Sequence, residues 1–159
     1  MKKIGTLILA AAVSLVFSAN ANAQSINDEI NLIQSAFGMN KRAAVQEYMG
    51  LSEEMSAAFW PVYDAYENER RALSAERIKI INDYLERYEN FTEADATELV
   101  TRTLRNDIAR SKLQTKYFKS FTKATNAMEA AKFMQVDNYI HSTIRAAMSE
   151  SLPFIGEKE

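Results

Sequence analysis

From Gln24 onward the apolar residues recur at intervals of three and four, and no stretch alternates apolar and polar positions as a strand would. Three glycines (Gly38, Gly50, Gly156) and two prolines punctuate that stretch, so the pattern predicts a nearly all-helical chain. A short amphipathic segment comes first, with Ile26, Ile30, Ile33 and Phe37 on one face and Gly38 breaking it. Residues 41–49 form a second short helix closed by Gly50, where a left-handed cap costs little only for glycine. Ser52 then offers its hydroxyl to the free amides of a first turn, and Glu53 and Glu54 place negative charge at the positive end of a helix dipole. The same device recurs at 91–99: "FTEADATEL" matches "LSEEMSAAF" (51–59) in its apolar residue, capping hydroxyl, glutamate and closing apolar residue. In the second copy Asp95, three residues after Thr92, is placed to complete a reciprocal capping pair; Met55 in the first copy cannot.

Two long helices are thereby expected, about 53–89, ending in the turn "YENFT", and 93–124. A last helix begins near Asn126, with Glu129 three residues on, and continues to about 150, before "SLPFIGEKE". A straight helix over 53–89 would be about 55 Å long. A compact globule formed by Gln24–Glu159 would be roughly 37 Å across. The expected architecture is therefore all-α, an elongated antiparallel helical hairpin or bundle that is bent, dimeric or both. Pro61 cannot donate to the Ala57 carbonyl, and its ring pushes that carbonyl aside at about 3 kcal/mol, so a kink near Pro61 is expected. Phe59, Trp60 and Tyr63 would then close one end of the hairpin. The alternative is a helix that starts at Pro61, with Ser52 capping a separate short turn.

Along the first long helix, Phe59, Val62, Tyr63 and Tyr66 make one dense apolar patch, and Ile80, Ile81, Tyr84, Leu85 and Tyr88 another. Between them Leu73 and Ile78 are surrounded by Glu69, Arg70, Arg71, Glu76 and Arg77, so the mid-section is expected to be half exposed, on a concave face or against a partner. On the next helix Arg110, Lys112, Lys116, Lys119 and Lys123 occur with no acid from 110 to 123, and the four lysines share one face beside Leu113, Tyr117 and Phe121. Arg110, Lys112, Lys116, Lys119, Lys123, Arg70 and Arg77 are accordingly the candidate polypeptide-binding residues. Such a stripe suits acidic or unfolded polypeptide or an anionic lipid surface, and it reads equally as a solvated helix face.

The start of the chain changes the setting. Lys2 and Lys3, an apolar run from Ile4 to Phe17 and the small-residue site Ala21-Asn22-Ala23 have the three parts of a secretory signal, residues 1–23. The run falls short of the roughly 20 residues of a spanning helix. Without cysteine there is no disulfide framework, and the expected product, residues 24–159, is a single exported, periplasmic domain stabilised by packing. Loss of Lys2 and Lys3 takes the basic count from 19 to 17 against 21 acids, a net charge of −4 that points to no nucleic-acid partner.

The paired start motifs and the segment "FWPVYDAY" resemble the Spy and CpxP family of periplasmic stress proteins, whose paired LTxxQ motifs mark helix starts on an elongated hairpin. Here the motifs read "LSEEM" and "FTEAD", with Met55 and Asp95 at the glutamine position. The resemblance covers about residues 40–150. It is nearer to a branch with a tryptophan–proline element, in which "FGMNKRAAVQEYM", "FWPVYDAYENERRAL" and "PFIGE" also look familiar. It implies ATP-independent binding of unfolded clients by a homodimer, or regulation of an envelope sensor of sigma-factor or two-component type, or, as in other members, binding of zinc, nickel or copper.

The residues themselves point to no cofactor, metal or enzyme. His141 is the single histidine, and Asp137 and Arg145 lie on its helical face, so an ordinary hydrogen-bonded or ion-paired histidine is expected. One such ligand does not make a zinc site. The methionines after residue 23 do not cluster and suit core packing. Neither a cysteine nucleophile, a phosphate loop nor a histidine pair occurs.

Overall fold

A computed structural model describes Glu29, Asn31, Ile33 and residues 36–157. The expected signal segment lies outside these residues, as do Ile26 and Ile30 of the first amphipathic segment. Among the described residues, four helices pack together: α1 (Lys41–Met49), α2 (Glu53–Arg87), α3 (Glu93–Ala124) and α4 (Ala127–Glu150), with a single 3-10 turn at Tyr88–Asn90 between α2 and α3. No strand occurs among them.

Each helix starts where a side chain satisfies its first amides. Asn40 accepts from the Ala43 amide at 2.9 Å and Asn126 from the Glu129 amide at 2.9 Å. Ser52 accepts from the Met55 amide at 3.3 Å, and α2 then runs unbroken through Pro61, so the helix does not begin at the proline. Thr92 and Asp95 form the full capping box: the Asp95 amide donates to the Thr92 hydroxyl at 3.2 Å, and the Thr92 amide to the Asp95 carboxylate at 3.0 Å. Gly50 closes α1 at φ 55°, where its amide reaches the Gln46 carbonyl at 3.1 Å.

Residues on α2 and α3 meet in reverse order, which makes the two long helices an antiparallel hairpin. Next to the turn, Arg87 holds Asp95 and Glu98, each at 2.9 Å. Further along, Arg102 spans to Glu76 at 2.9 Å and Asp83 at 2.6 Å; beyond it Lys116 meets Glu69 at 2.7 Å, and at the far end the Phe59 and Phe121 rings lie 5.1 Å apart. α4 returns along α3 in the same antiparallel sense, from Phe121–Phe133, 4.3 Å between ring centroids, to Asp107–Arg145 at 3.1 Å. α1 lies across α2 and α4, with the Arg42 guanidinium over the Trp60 ring at 4.2 Å and Lys132 donating to the Met49 carbonyl at 2.5 Å.

The core is aromatic at the end far from the α2–α3 turn. Phe59, Tyr63, Tyr66, Tyr117, Phe121 and Phe133 are buried together with Val45, Met49 and Ile140. Most of their rings meet edge-on or tilted, and Phe59 and Tyr63 stack with centroids 6.0 Å apart, arrangements that the aromatic quadrupole favours. The mid-section of α2 is half exposed, as expected: Glu69 and Arg71 face solvent and Leu73 is half-buried, while Arg70 is 4% exposed and Ala75 and Ile78 are buried. On its inner side Arg70 interrupts the apolar stripe without opening it to solvent, because Glu67 and Glu29 pair with it.

Phe59→Ala should cost about 3–5 kcal/mol in chemical denaturation, since a fully buried ring leaves a cavity that its neighbours cannot fill. Thr92→Ala should cost about 1 kcal/mol by the same measurement, through loss of the capping box.

Candidate functional site

Two charged regions organise the molecule, one inside and one on the surface. The inner one centres on Asp137, which lies on the core stripe of α4 between Phe133 and Ile140 and is 0% exposed. Four donors converge on its carboxylate: Lys41 Nζ of α1 at 2.8 Å, the Tyr66 hydroxyl of α2 at 2.7 Å, Arg110 Nη2 at 2.9 Å and Gln114 Nε2 at 3.2 Å, the last two from α3. Lys41 also donates to Glu67 at 2.5 Å, and Glu67 accepts two hydrogen bonds from Arg70, at 2.8 and 3.0 Å. Arg70 continues to Glu29 at 2.6 Å, which Ser74 also reaches at 3.1 Å. Three acids and three bases thus neutralise one another along a buried chain.

Burial alone would raise the Asp137 and Glu67 carboxyls. The cations beside them outweigh it, Lys41 first and then Arg110 for Asp137 and Arg70 for Glu67, so both are held below the usual carboxylate range. Burial, reinforced by Asp137, pushes the Tyr66 phenol up, so it remains a donor. His141 differs from expectation. Its sequence neighbours are engaged elsewhere, Asp137 by the four donors and Arg145 by Asp107, and the buried Nε2 has no hydrogen-bond partner among the described residues. Burial and the Arg110 guanidinium push the imidazole down to about 3, so it is neutral at physiological pH.

The seven candidate polypeptide-binding residues divide between these regions. Arg70 and Arg110, 4% and 9% exposed, belong to the buried chain and are not surface groups. Arg77 is half-buried, its Nη1 3.9 Å from Asp107. Lys116 is exposed but bound to Glu69 at 2.7 and 2.9 Å. Lys112, Lys119 and Lys123 are exposed and engage no carboxylate among the described residues.

In the turns before Lys112 the structure places a feature absent from the sequence reading. Val100, Leu104 and Ile108 are 53%, 57% and 56% exposed and stand one turn apart on the outer face of α3. An open groove of about 480 Å³ runs from Leu104 and Ile108 past Ser111 to Lys112 and Thr115. The signal was present: α3 carries this second apolar row in addition to the core row of Leu113, Tyr117 and Phe121. No cluster of three or more metal-ligating side chains occurs among the described residues, and no helix among them is long and apolar enough to cross a membrane.

With the fold and both regions in view, the molecule is an all-helical assembly of four packed helices with a buried ionic chain and an apolar–basic outer face. Compared with protein-family models, with curated proteins and with solved structures, the chain matches none.

Asp137→Asn should destabilise by about 3–5 kcal/mol in denaturant titration, because Lys41 and Arg110 stay buried without their counter-charge. Acid should act in two stages. The unfolded chain takes up a proton at His141 below about pH 6.5 that the folded chain refuses until about 3, so stability falls from 6.5 downward. The depressed carboxyls of Asp137 and Glu67 add a second loss below their unfolded values of 3.8 and 4.5. As the chain has one histidine, His141→Gln should flatten the stability slope between about pH 6.5 and 5 and leave the steeper acid limb in place.

Proposed function

We propose that this is an exported envelope stress protein that binds unfolded polypeptide without ATP, through the outer face of α3. The observation that carries the reading is the row of Val100, Leu104 and Ile108, exposed and continued at the next turn by Lys112, with Lys119 and Lys123 exposed further along α3. Large apolar side chains in a row on a surface mark contact with another macromolecule. Lysines alongside would draw acidic segments toward it and tolerate many sequences. The resemblance to the Spy and CpxP family and the secretory signal at residues 1–23 support the same setting, the periplasm. In this reading Pro61 bends α2 and two copies associate, so that each presents its α3 face to the client.

The test is aggregation of a chemically unfolded model protein, followed by light scattering with the mature chain added at equimolar amount and no ATP. Suppression is expected. Leu104→Ser with Ile108→Ser should remove at least half of it, and Lys112→Glu with Lys119→Glu should weaken it, all four at exposed positions where substitution alters stability by about 0.5 kcal/mol or less. Absence of suppression by the unaltered chain would sink the broad binding role and favour a dedicated envelope sensor as partner, which a pull-down would then identify.

A further inference from the structure

After α4 ends at Glu150 the chain turns back over the α2–α3 end of the molecule as a short irregular strap, residues 151–157. Two tyrosines of α2 and its 3-10 turn hold the strap by its backbone. The Tyr84 hydroxyl donates to the Pro153 carbonyl at 2.8 Å, and the Tyr88 hydroxyl reaches the Phe154 carbonyl at 3.2 Å and the Glu157 carbonyl. The strap folds on itself where the Glu157 amide meets the Phe154 carbonyl at 3.0 Å, with Gly156 at φ 80°. Leu152 and Ile155, three residues apart, line a cleft of about 170 Å³ whose other walls include Ile80, Ile81, Tyr84, Phe91 and Leu99.

Leu152 and Pro153 are half-buried against the helices, but the rest of the strap seals little apolar surface. Ile155 remains 63% exposed and Phe154 80% exposed, so the strap covers the cleft without filling it. The cleft offers apolar walls for two side chains and hydroxyl donors for the carbonyls between them. Donors aimed at carbonyls read a backbone whatever its side chains, and apolar walls select only for hydrophobic bulk.

We infer that the cleft at the α2–α3 turn is a peptide-binding groove that the chain's own residues 151–157 occupy in cis. A short segment of another polypeptide with two apolar residues three apart takes the strap's place. The inference rests on the polypeptide-binding reading above and adds a second site at the turn end of α3, which meets the apolar row at Val100 but not at Leu104 or Ile108. Because the strap is tethered, it competes at a high effective concentration and keeps the groove closed to weak ligands. A segment displaces it only when presented at high local concentration or with bulkier apolar side chains.

The experiment uses the full chain and a fluorescein-labelled peptide of sequence SLPFIGE, read by fluorescence anisotropy. Leu152→Ser with Ile155→Ser loosens the strap and should bind the peptide at least tenfold more tightly than the unaltered chain. Ile155→Ser alone, at a residue 63% exposed, repeats the test with little risk to the fold. Adding Tyr84→Phe and Tyr88→Phe to either variant should weaken the peptide at least fivefold. Equal affinity for altered and unaltered chains, no binding to the loosened chains, or indifference to the tyrosines would each overturn the inference. Those outcomes leave the scattering result at Leu104 and Ile108 untouched, so the two sites fail separately.

Discussion

A carboxylate taken wholly out of water is tolerated only when donors surround it, and Asp137 is surrounded by donors from every other helix. Lys41, Tyr66, Arg110 and Gln114 approach it from α1, α2 and α3. Any of these helices that slid by a turn would strand a buried charge. The ionic chain therefore acts on register more than on net stability, since a well-packed apolar replacement is often as stable as a buried pair. Apolar packing supplies the driving force, and the Asp137 cluster restricts which of the many helical packings satisfies it.

The two ends of the α2–α3 hairpin are held by different means. Far from the turn, interlocking rings of Phe59, Tyr66, Phe121 and Phe133 exclude water. Near it, Ile80 and Leu99 are buried, Arg102 bridges the helices through the part-buried Asp83, and Arg87 through carboxylates nearer the surface. Exposed pairs of this kind contribute little each and are screened by salt. The strap carrying Leu152 and Ile155 lies over the turn end.

Internal pairing also shapes the outer surface. Because Arg110 is turned inward against Asp137, the basic groups of α3 that face solvent are Arg105 and the lysines Lys112, Lys116, Lys119 and Lys123. Lysine is a flexible, strongly hydrated point charge and gives a diffuse attraction without the bidentate geometry that arginine imposes.

Local chemistry made most of the elements legible in the sequence. Asn126, Ser52, Thr92 with Asp95, and Gly50 set helix ends through contacts within a few residues, and those ends need no knowledge of the rest of the chain. The burial of Phe59 and Tyr63 was readable for the same reason, since both stand on one dense apolar face. Which charges lie inside was not readable. Arg70 and Arg110 have the same local signature as Arg71 and Lys112, and only the arrival of Glu67, Glu29 and Asp137 makes their burial tolerable. Asp137 left a trace, an acid on the apolar row of Phe133, Val136 and Ile140, but its partners come from positions up to 96 residues away. The same holds for Val100, Leu104 and Ile108: their spacing showed a second apolar row, and whether a helix covers that row depends on how many neighbours α3 has. Sequence alone determined where each helix begins and which residues prefer to be buried, because capping and hydrophobic periodicity act over one or two turns. Tertiary structure alone decided which charges are neutralised inside and which apolar row is left in water, because both depend on contacts between distant helices.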